Sequence, residues 1–247
     1  MDMPETIFDQ GLYPLPDAAR LAQLDPRIAR RWAEGYDFKY RGETRHSPGV
    51  MALTLPAVGR QVDLTFPELL TLRLVKGFRD TGLSLRIIKR VASVAARDYG
   101  TPTPFVSQRF RTDGRRIFME LERLEPSNDD PAVSRHDLEL IEVLSGQRAF
   151  AEIVEPSLFA RVDWVDDMAA RWWPLGQEHA VVLDPKVMFG APRVRDSRLA
   201  TSTVAAAVRA EGGGEAGVAA VADWYGIPSA HVRDAAEFET EWLRRAA

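Results

Sequence analysis

Two short helices near the N-terminus, only about three residues apart, constrain the fold of this chain more than any other feature. The first helix is predicted to begin at Pro16, because proline is tolerated in the first turn of a helix. Asp25 is a suitable N-cap for the second helix, whose first residue is Pro26, and Gly35 is expected to end it. Such a short connection predicts a helix-turn-helix arrangement.

The helical period divides the second helix into two sides. One side is predicted to face the core and carries Ile28, Ala29 and Trp32, whereas the other carries Arg27, Arg30, Arg31 and Glu34. A recognition helix places its N-terminal residues at the base edges of the major groove, and the arginine fork fits O6 and N7 of guanine. We therefore expect Arg27, Arg30 and Arg31 to contact DNA.

Residues 36–63 lack helical periodicity and are predicted to form two or three short strands, a wing beside the helix pair. The wing carries Lys39, Arg41 and Arg45, which are expected to contact phosphates or the minor groove.

A second helical pair follows the wing. Thr65 and Glu68 form a capping box for its first helix, and Ser84 is predicted to cap the second, which ends at Gly100. The exposed stripe of the second helix is expected to hold flanking DNA backbone through Arg86, Lys89 and Arg90. The alternative for all these cations is a solvated, charged surface on an ordinary helical domain.

Charge is distributed unevenly along the chain. Residues 1–124 carry 20 Lys and Arg against 15 Asp and Glu, a net charge of +5, whereas residues 125–247 carry 12 against 21, a net charge of −9. A basic half suits phosphates and an acidic half is repelled by them, unless the asymmetry is due to chance. No apolar run is long enough to span a membrane, no secretory signal is recognisable and cysteine is absent, so a cytoplasmic protein is expected.

The second half of the chain reads as mixed structure followed by three helices. A β-hairpin is predicted at 108–121 around Asp113-Gly114, a linker at 125–134, and strands at 149–154, 158–165 and 181–183. Helices are predicted at about 202–210, 215–225 and 230–245, the last two joined by a tight turn. The fold class is therefore mainly α with short β-hairpins. The predicted domains are a DNA-binding domain at 1–124, a linker and packing or dimerisation region at 125–178, and a trihelical, homeodomain-like unit at 179–247.

The C-terminal helix is acidic, so it lacks the phosphate attraction that dominates DNA affinity. We expect this unit to bind a protein instead, with aromatic anchors at Trp224, Tyr225, Phe238 and Trp242. The alternative, equally supported by the sequence, is that these four residues are the core of the unit.

No catalytic constellation is recognisable in the sequence. The histidines His46, His136, His179 and His231 are far apart and lack metal-binding spacings, and no phosphate-binding glycine motif occurs. Adjacent carboxylates such as Asp166-Asp167 point apart and read as solvated loop residues. We predict that the chain is not an enzyme and uses no cofactor or metal.

Two stretches carry a family resemblance. L-P-D-A-A-R-L-A-Q-L-D-P-R-I-A-R-R-W, with F-P-E-L-L-T-L-R-L-V-K-G-F-R-D-T-G-L-S-L-R-I-I-K-R, resembles the MerR-like winged helix-turn-helix over about residues 12–100. L-D-P-K-V-M-F-G-A-P-R-V through D-W-Y-G-I-P-S-A-H-V-R-D-A resembles the small three-helix domain of VapB-type antitoxins. Where that family's motif has a glycine, this chain has Asp196.

The resemblance implies an antitoxin that binds and neutralises a PIN-like ribonuclease toxin and represses its own operon. Its expected partners are that toxin and double-stranded operator DNA, bound as a homodimer. The alternative is a stand-alone MerR-like regulator whose acidic half dimerises or senses a ligand. A hairpin and linker at 105–134 count against this alternative, because regulators of that type dimerise through a long helix after the second helical pair.

Overall fold

The computed structural model describes residues 9–111, 113, 114, 117 and 159–244. This part of the chain is mainly helical with short antiparallel strand pairs, which confirms the predicted fold class at that level. The named helices are α1 (Leu15–Ala22), α2 (Pro26–Ala33), α3 (Phe66–Asp80), α4 (Leu85–Tyr99), α5 (Thr201–Ala210), α6 (Gly214–Tyr225) and α7 (Ser229–Glu237). The strands are β1 (Tyr13–Pro14), β2 (Tyr36–Tyr40), β3 (Glu43–Ser47), β4 (Asp63–Leu64), β5 (Val162–Val165), β6 (Met168–Trp172), β7 (Val181–Val182) and β8 (Arg193–Val194).

The N-terminal helix pair forms where the sequence predicts it. Asp25 caps α2, since its Oδ1 accepts hydrogen bonds from the backbone N–H groups of Arg27, at 2.8 Å, and Ile28, at 3.2 Å. The turn between the helices reverses direction at Gln23, whose φ is +59°. Ala29 and Trp32 are buried as expected, but the inward placement of Ile28 is wrong. Ile28, at the N-terminal end of α2, is 42% exposed.

The wing is held against the end of α2 by close backbone contacts. β2 and β3 pair antiparallel, with Phe38 opposite Arg45. A Cβ atom at Gly49 would lie 2.1 Å from the carbonyl oxygen of Ala33, and one at Gly35 would lie 2.3 Å from that of Ser47. Only glycine allows the base of the hairpin to approach the helix this closely. The apolar run at 50–55 forms no strand but covers the core through Val50.

The second helical pair also follows its local signals. Both hydrogen bonds of the Thr65–Glu68 capping box are present, Ser84 caps α4, and Gly100 adopts the left-handed conformation that ends it. The predicted apolar stripe of α3 is buried from Phe66 to Phe78.

The predicted hairpin at 108–121 is wrong where the structure describes it. Residues 108–111, 113, 114 and 117 are helical, so Asp113-Gly114 is not a hairpin turn. Asp167 holds the start of this helix. Its backbone oxygen accepts from Gln108 N at 3.2 Å, and its carboxylate accepts from Arg109 N at 3.1 Å. The reading of Asp167 as a merely solvated loop carboxylate is therefore also wrong.

The predicted linker at 125–134 and the predicted strand at 149–154 lie outside the described residues. Beyond them, β5 and β6 form a hairpin, and β7 pairs with β8. A turn at Met188–Gly190 packs against β1, where the buried Tyr13 hydroxyl donates to the Gly190 carbonyl at 2.9 Å. Asp196 has a φ of +56°, a left-handed conformation that Asp tolerates and that suits the glycine of the family motif.

The buried residues that the structure describes form two hydrophobic cores. The smaller joins α5, α6 and α7 through residues such as Val204, Val221 and Val232. The larger draws on all three predicted domains. It contains the residues of α1–α4, Trp172 and Leu183, and finally Phe238 and Trp242 from a π-helical turn (Phe238–Trp242) after α7. The C-terminal end of the chain therefore packs on the N-terminal helix pair. The predicted domain limits themselves remain predictions.

Candidate nucleic-acid interface

A groove separates α2 from the β2–β3 hairpin. It has a volume of about 660 Å³, and its lining includes Arg27, Arg30, Arg31, Glu34, Tyr36, Asp37 and His46. One wall thus carries the three arginines of α2 that are predicted to contact DNA. The other wall belongs to the wing, so the two elements predicted to act together lie side by side.

The three arginines of α2 differ in how they are held. Arg27 is exposed and lies in the first turn. Arg30 donates to Glu34 Oε2 at 2.8 Å and to the backbone oxygen of Arg60 at 3.0 Å. Arg31 stacks on Tyr36, with its guanidinium carbon 4.1 Å from the ring centroid. Arg30 would have to give up hydrogen bonds within the chain in order to contact DNA, whereas Arg27 is exposed.

Tyr36 connects α2, the wing and α4. Besides Arg31, it lies beneath the Lys89 ammonium group, which is 5.6 Å from the ring centroid. Lys89 Nζ also donates to Ser47 Oγ at 2.9 Å and to the Pro48 carbonyl. These contacts hold the Lys89 ammonium group at the base of the wing, close to the guanidinium group of Arg31.

The environment of Lys89 disfavours its charge. Burial is the main cause of its lowered pKa, Tyr36 opposes the shift, and the positive charge of Arg31 adds to it. A phosphate placed here would relieve the repulsion between the two cations, since opposite charges stabilise the protonated form.

The predicted wing cations lie on both faces of the hairpin. Arg41 and Arg45 lie over the Tyr40 ring, at 5.3 and 4.9 Å from its centroid. Because side chains alternate along a strand, Lys39 points to the opposite face. Arg86 is exposed and Arg90 half-buried on α4, and each has an interaction within the chain.

Sequence reasoning missed the groups that accompany these cations. Asp37 Oδ1 and His46 Nδ1 lie 2.8 Å apart in the wing wall of the groove. Tyr36, Phe38 and Tyr40 share the face of the hairpin opposite that of Asp37 and His46, a placement that their period-two spacing could have indicated. The predicted interface is therefore a mixed surface of arginines, aromatic rings and a few carboxylates.

The four predicted partner-binding aromatics separate into two pairs. Trp224 is 60% exposed and Tyr225 is 38% exposed at the end of α6. Phe238 and Trp242 are buried, with their rings stacked at 6.4 Å, but in the larger core and not in the core of their own unit. Trp224 and Tyr225 remain candidates for a protein interface.

Neither a metal cluster nor a membrane span is found in the described part of the chain. No three His, Cys, Asp or Glu side chains there are grouped so that they could hold a metal ion. Likewise, none of the described helices is both long and apolar enough to cross a bilayer.

Comparison with known proteins identifies the family. No family model matches the chain. A curated protein of Mycobacterium tuberculosis strain H37Rv, named "Putative antitoxin VapB45", is 30% identical over 236 residues, which are 94% of this chain and 95% of that protein. The chain therefore belongs to the same family as VapB45. Its fold is similar to the crystal structure of Rv2018 from Mycobacterium tuberculosis, with a TM-score of 0.68 at 23% identity over 90% of this chain and 95% of the other.

Proposed function

We propose that the chain is the antitoxin of a toxin–antitoxin pair. The observation that carries the proposal is its similarity, over nearly its whole length, to a relative named as a VapB antitoxin. In this proposal the chain is a binding protein without catalytic activity. It represses its own operon through DNA and neutralises a PIN-like ribonuclease toxin by direct contact.

DNA binding is assigned to α2 and the β2–β3 hairpin. Arg27, Arg30 and Arg31 share the groove between these elements, and α4 adds Lys89 at the base of the hairpin. The arrangement fits a MerR-like winged helix-turn-helix, with α2 in the major groove and the hairpin beside it. A homodimer would bind a palindromic operator, since protein and DNA would share a twofold axis.

The DNA assignment is tested by fluorescence anisotropy with the fragment upstream of the chain's own reading frame and with a random duplex. Replacing Arg27, Arg30 or Arg31 with alanine is expected to cost roughly 1–3 kcal/mol on the upstream fragment if the residue reads a base. Equal losses on both duplexes would make it a phosphate contact. The exposed Arg209 of α5 provides a control, Arg209→Ala, expected to bind normally. Unchanged binding by all three α2 variants would contradict the assignment.

Toxin binding is assigned to the trihelical unit of α5, α6 and α7. This unit lies in the acidic half of the chain and exposes Trp224 and Tyr225. Exposed aromatics of this kind are enriched at protein interfaces. The test is co-purification with the product of the neighbouring reading frame, for the wild type and for Trp224→Ala. Failure of the wild type to retain that protein through a salt wash would reject the antitoxin function.

A second candidate is a stand-alone MerR-like regulator, and one observation favours it. A predicted hairpin at 108–121 counted against a dimerisation helix after α4, but the described residues there are helical. The same co-purification separates the candidates. A homodimer that binds the upstream DNA and retains no neighbouring protein would support the regulator.

A further inference from the structure

We propose that one face of the β2–β3 hairpin contacts DNA through an aromatic ring, with Phe38 packing against sugars and base edges. This inference rests on the proposed DNA-binding function. We call the surface formed by Tyr36, Phe38, Tyr40 and Arg45 the aromatic face. The strand register places these residues together, because Phe38 lies opposite Arg45, and residues two apart on a strand share a side.

The aromatic face is open to solvent. Phe38 is 40% exposed and Tyr40 is 42% exposed, and neither belongs to a hydrophobic core. The hairpin is a two-stranded sheet whose strands pair only with each other among the described residues. The partly exposed rings of Phe38 and Tyr40 therefore leave apolar area available to a partner.

Cations cover the two ends of the aromatic face and leave its centre open. Arg31 and Lys89 lie over Tyr36, and Arg41 and Arg45 lie over Tyr40. Within the described residues, no cation lies over the ring of Phe38, whose centroid is 6.0 Å from that of Tyr36. An apolar ring is therefore presented between two positively charged positions.

Charge identifies the occupant. Four cations surround three rings. Among residues 36–47, Glu43 is the one carboxylate on this face, and it is 3.5 Å from Arg45. An apolar protein surface would offer no anion to these cations. A DNA duplex supplies phosphates at regular intervals, with sugars and the groove edges of the bases between them, and side chains that enter a groove contact these parts. The opposite face carries neither Phe nor Tyr among residues 36–47, so it could not make this contact.

The experiment compares Phe38→Ala with Thr44→Ala, which lies on the opposite face of the same hairpin and leaves the charge unchanged. Binding to the upstream duplex is measured at several salt concentrations. Phe38→Ala is expected to weaken binding about tenfold, the scale of truncating one packed aromatic side chain in an interface. The slope of log affinity against log salt should stay the same, because no phosphate contact is removed. Arg45→Ala should instead reduce the slope, and Phe38→Leu should recover part of the affinity.

Each other outcome has a distinct meaning. If Phe38→Ala binds like Thr44→Ala while Arg31→Ala binds weakly, the aromatic contact is refuted and DNA binding stands. If Phe38→Ala changes the oligomeric state in sedimentation without a direct effect on DNA affinity, the aromatic face is a protein interface and the proposal fails. If the wild type binds no DNA, the proposed function fails and the inference with it.

Discussion

Replacing Trp242 should lower the stability of the N-terminal helix pair, although this residue is far from the helix pair in the sequence. Trp242 Nε1 donates to the carbonyl oxygen of Leu21, at 3.1 Å. That oxygen belongs to the last turn of α1, where carbonyl groups have no partner within the helix. The indole ring also packs edge-on against Trp172 at 6.2 Å and lies beneath the guanidinium of Arg73 at 5.6 Å.

The expected magnitude follows from these contacts. Truncating a buried tryptophan to alanine costs about 3–5 kcal/mol through lost burial and the cavity left behind. Trp242→Phe should cost less, since it retains most of the ring but leaves the buried Leu21 oxygen unsatisfied, at about 1–3 kcal/mol. Arg73, whose pKa is lowered mainly by burial and also by Arg161, would lose its aromatic neighbour in the alanine variant.

The assay is urea denaturation followed by far-ultraviolet circular dichroism. Trp224→Ala is the matched control, because that tryptophan is largely exposed and should change stability by less than about 0.5 kcal/mol. Hydrogen exchange should show earlier opening of α1 in Trp242→Ala, with the protection of α5 and α6 less affected. Equal stability of the Trp242 and Trp224 variants would refute the packing of the chain's end on α1.

Three further predictions follow from contacts described above. Gly49→Ala forces a Cβ against the Ala33 carbonyl and should cost about 1–3 kcal/mol in denaturation, with weaker DNA binding because the wing is displaced; normal stability would contradict the close approach. Asp167→Ala should cost about 0.5–2 kcal/mol by removing a helix cap, whereas Asp166→Ala, with the same left-handed backbone, should cost less. The pKa of Lys89 is lowered, and phosphates favour its protonated form, so DNA affinity should fall as pH rises toward the range in which lysine ordinarily loses its proton. Anisotropy at constant ionic strength should show a smaller fall for Lys89→Arg. An equal fall in both proteins would exclude Lys89 as the cause.

Local signals account for what the sequence predicted well. The caps at Asp25, Ser84 and the Thr65–Glu68 box involve residues two or three positions apart, so their pattern is visible in the sequence itself. The three cations of α2 could likewise be placed on one side from the helical period alone.

Long-range contacts account for the features that the sequence predicted poorly. Asp167 bonds to the start of a helix 58 positions away, where Ser107 Oγ also accepts from Phe110 N at 3.2 Å. The sequence reading at Asp113-Gly114 therefore missed one local cap and one distant contact. Trp242 bonds to Leu21, which is 221 positions away, so the sequence alone could not show whether this tryptophan is buried or exposed. At the candidate site, the pairing of Arg30 with Glu34 follows from their spacing, but its bond to the Arg60 carbonyl depends on the folded loop.

The position of Trp242 beneath α1 also has a consequence for how the molecule is made. A chain still attached to the ribosome has synthesised the whole helix pair and wing long before residue 242 emerges. Its larger core then lacks two aromatic side chains, Phe238 and Trp242, and the end of α1 lacks a hydrogen-bond donor. The N-terminal half thus gains its full stability only after Phe238 and Trp242 have been synthesised. Loss of the segment that carries Phe238 and Trp242 would therefore weaken the half of the molecule that bears the arginines of α2.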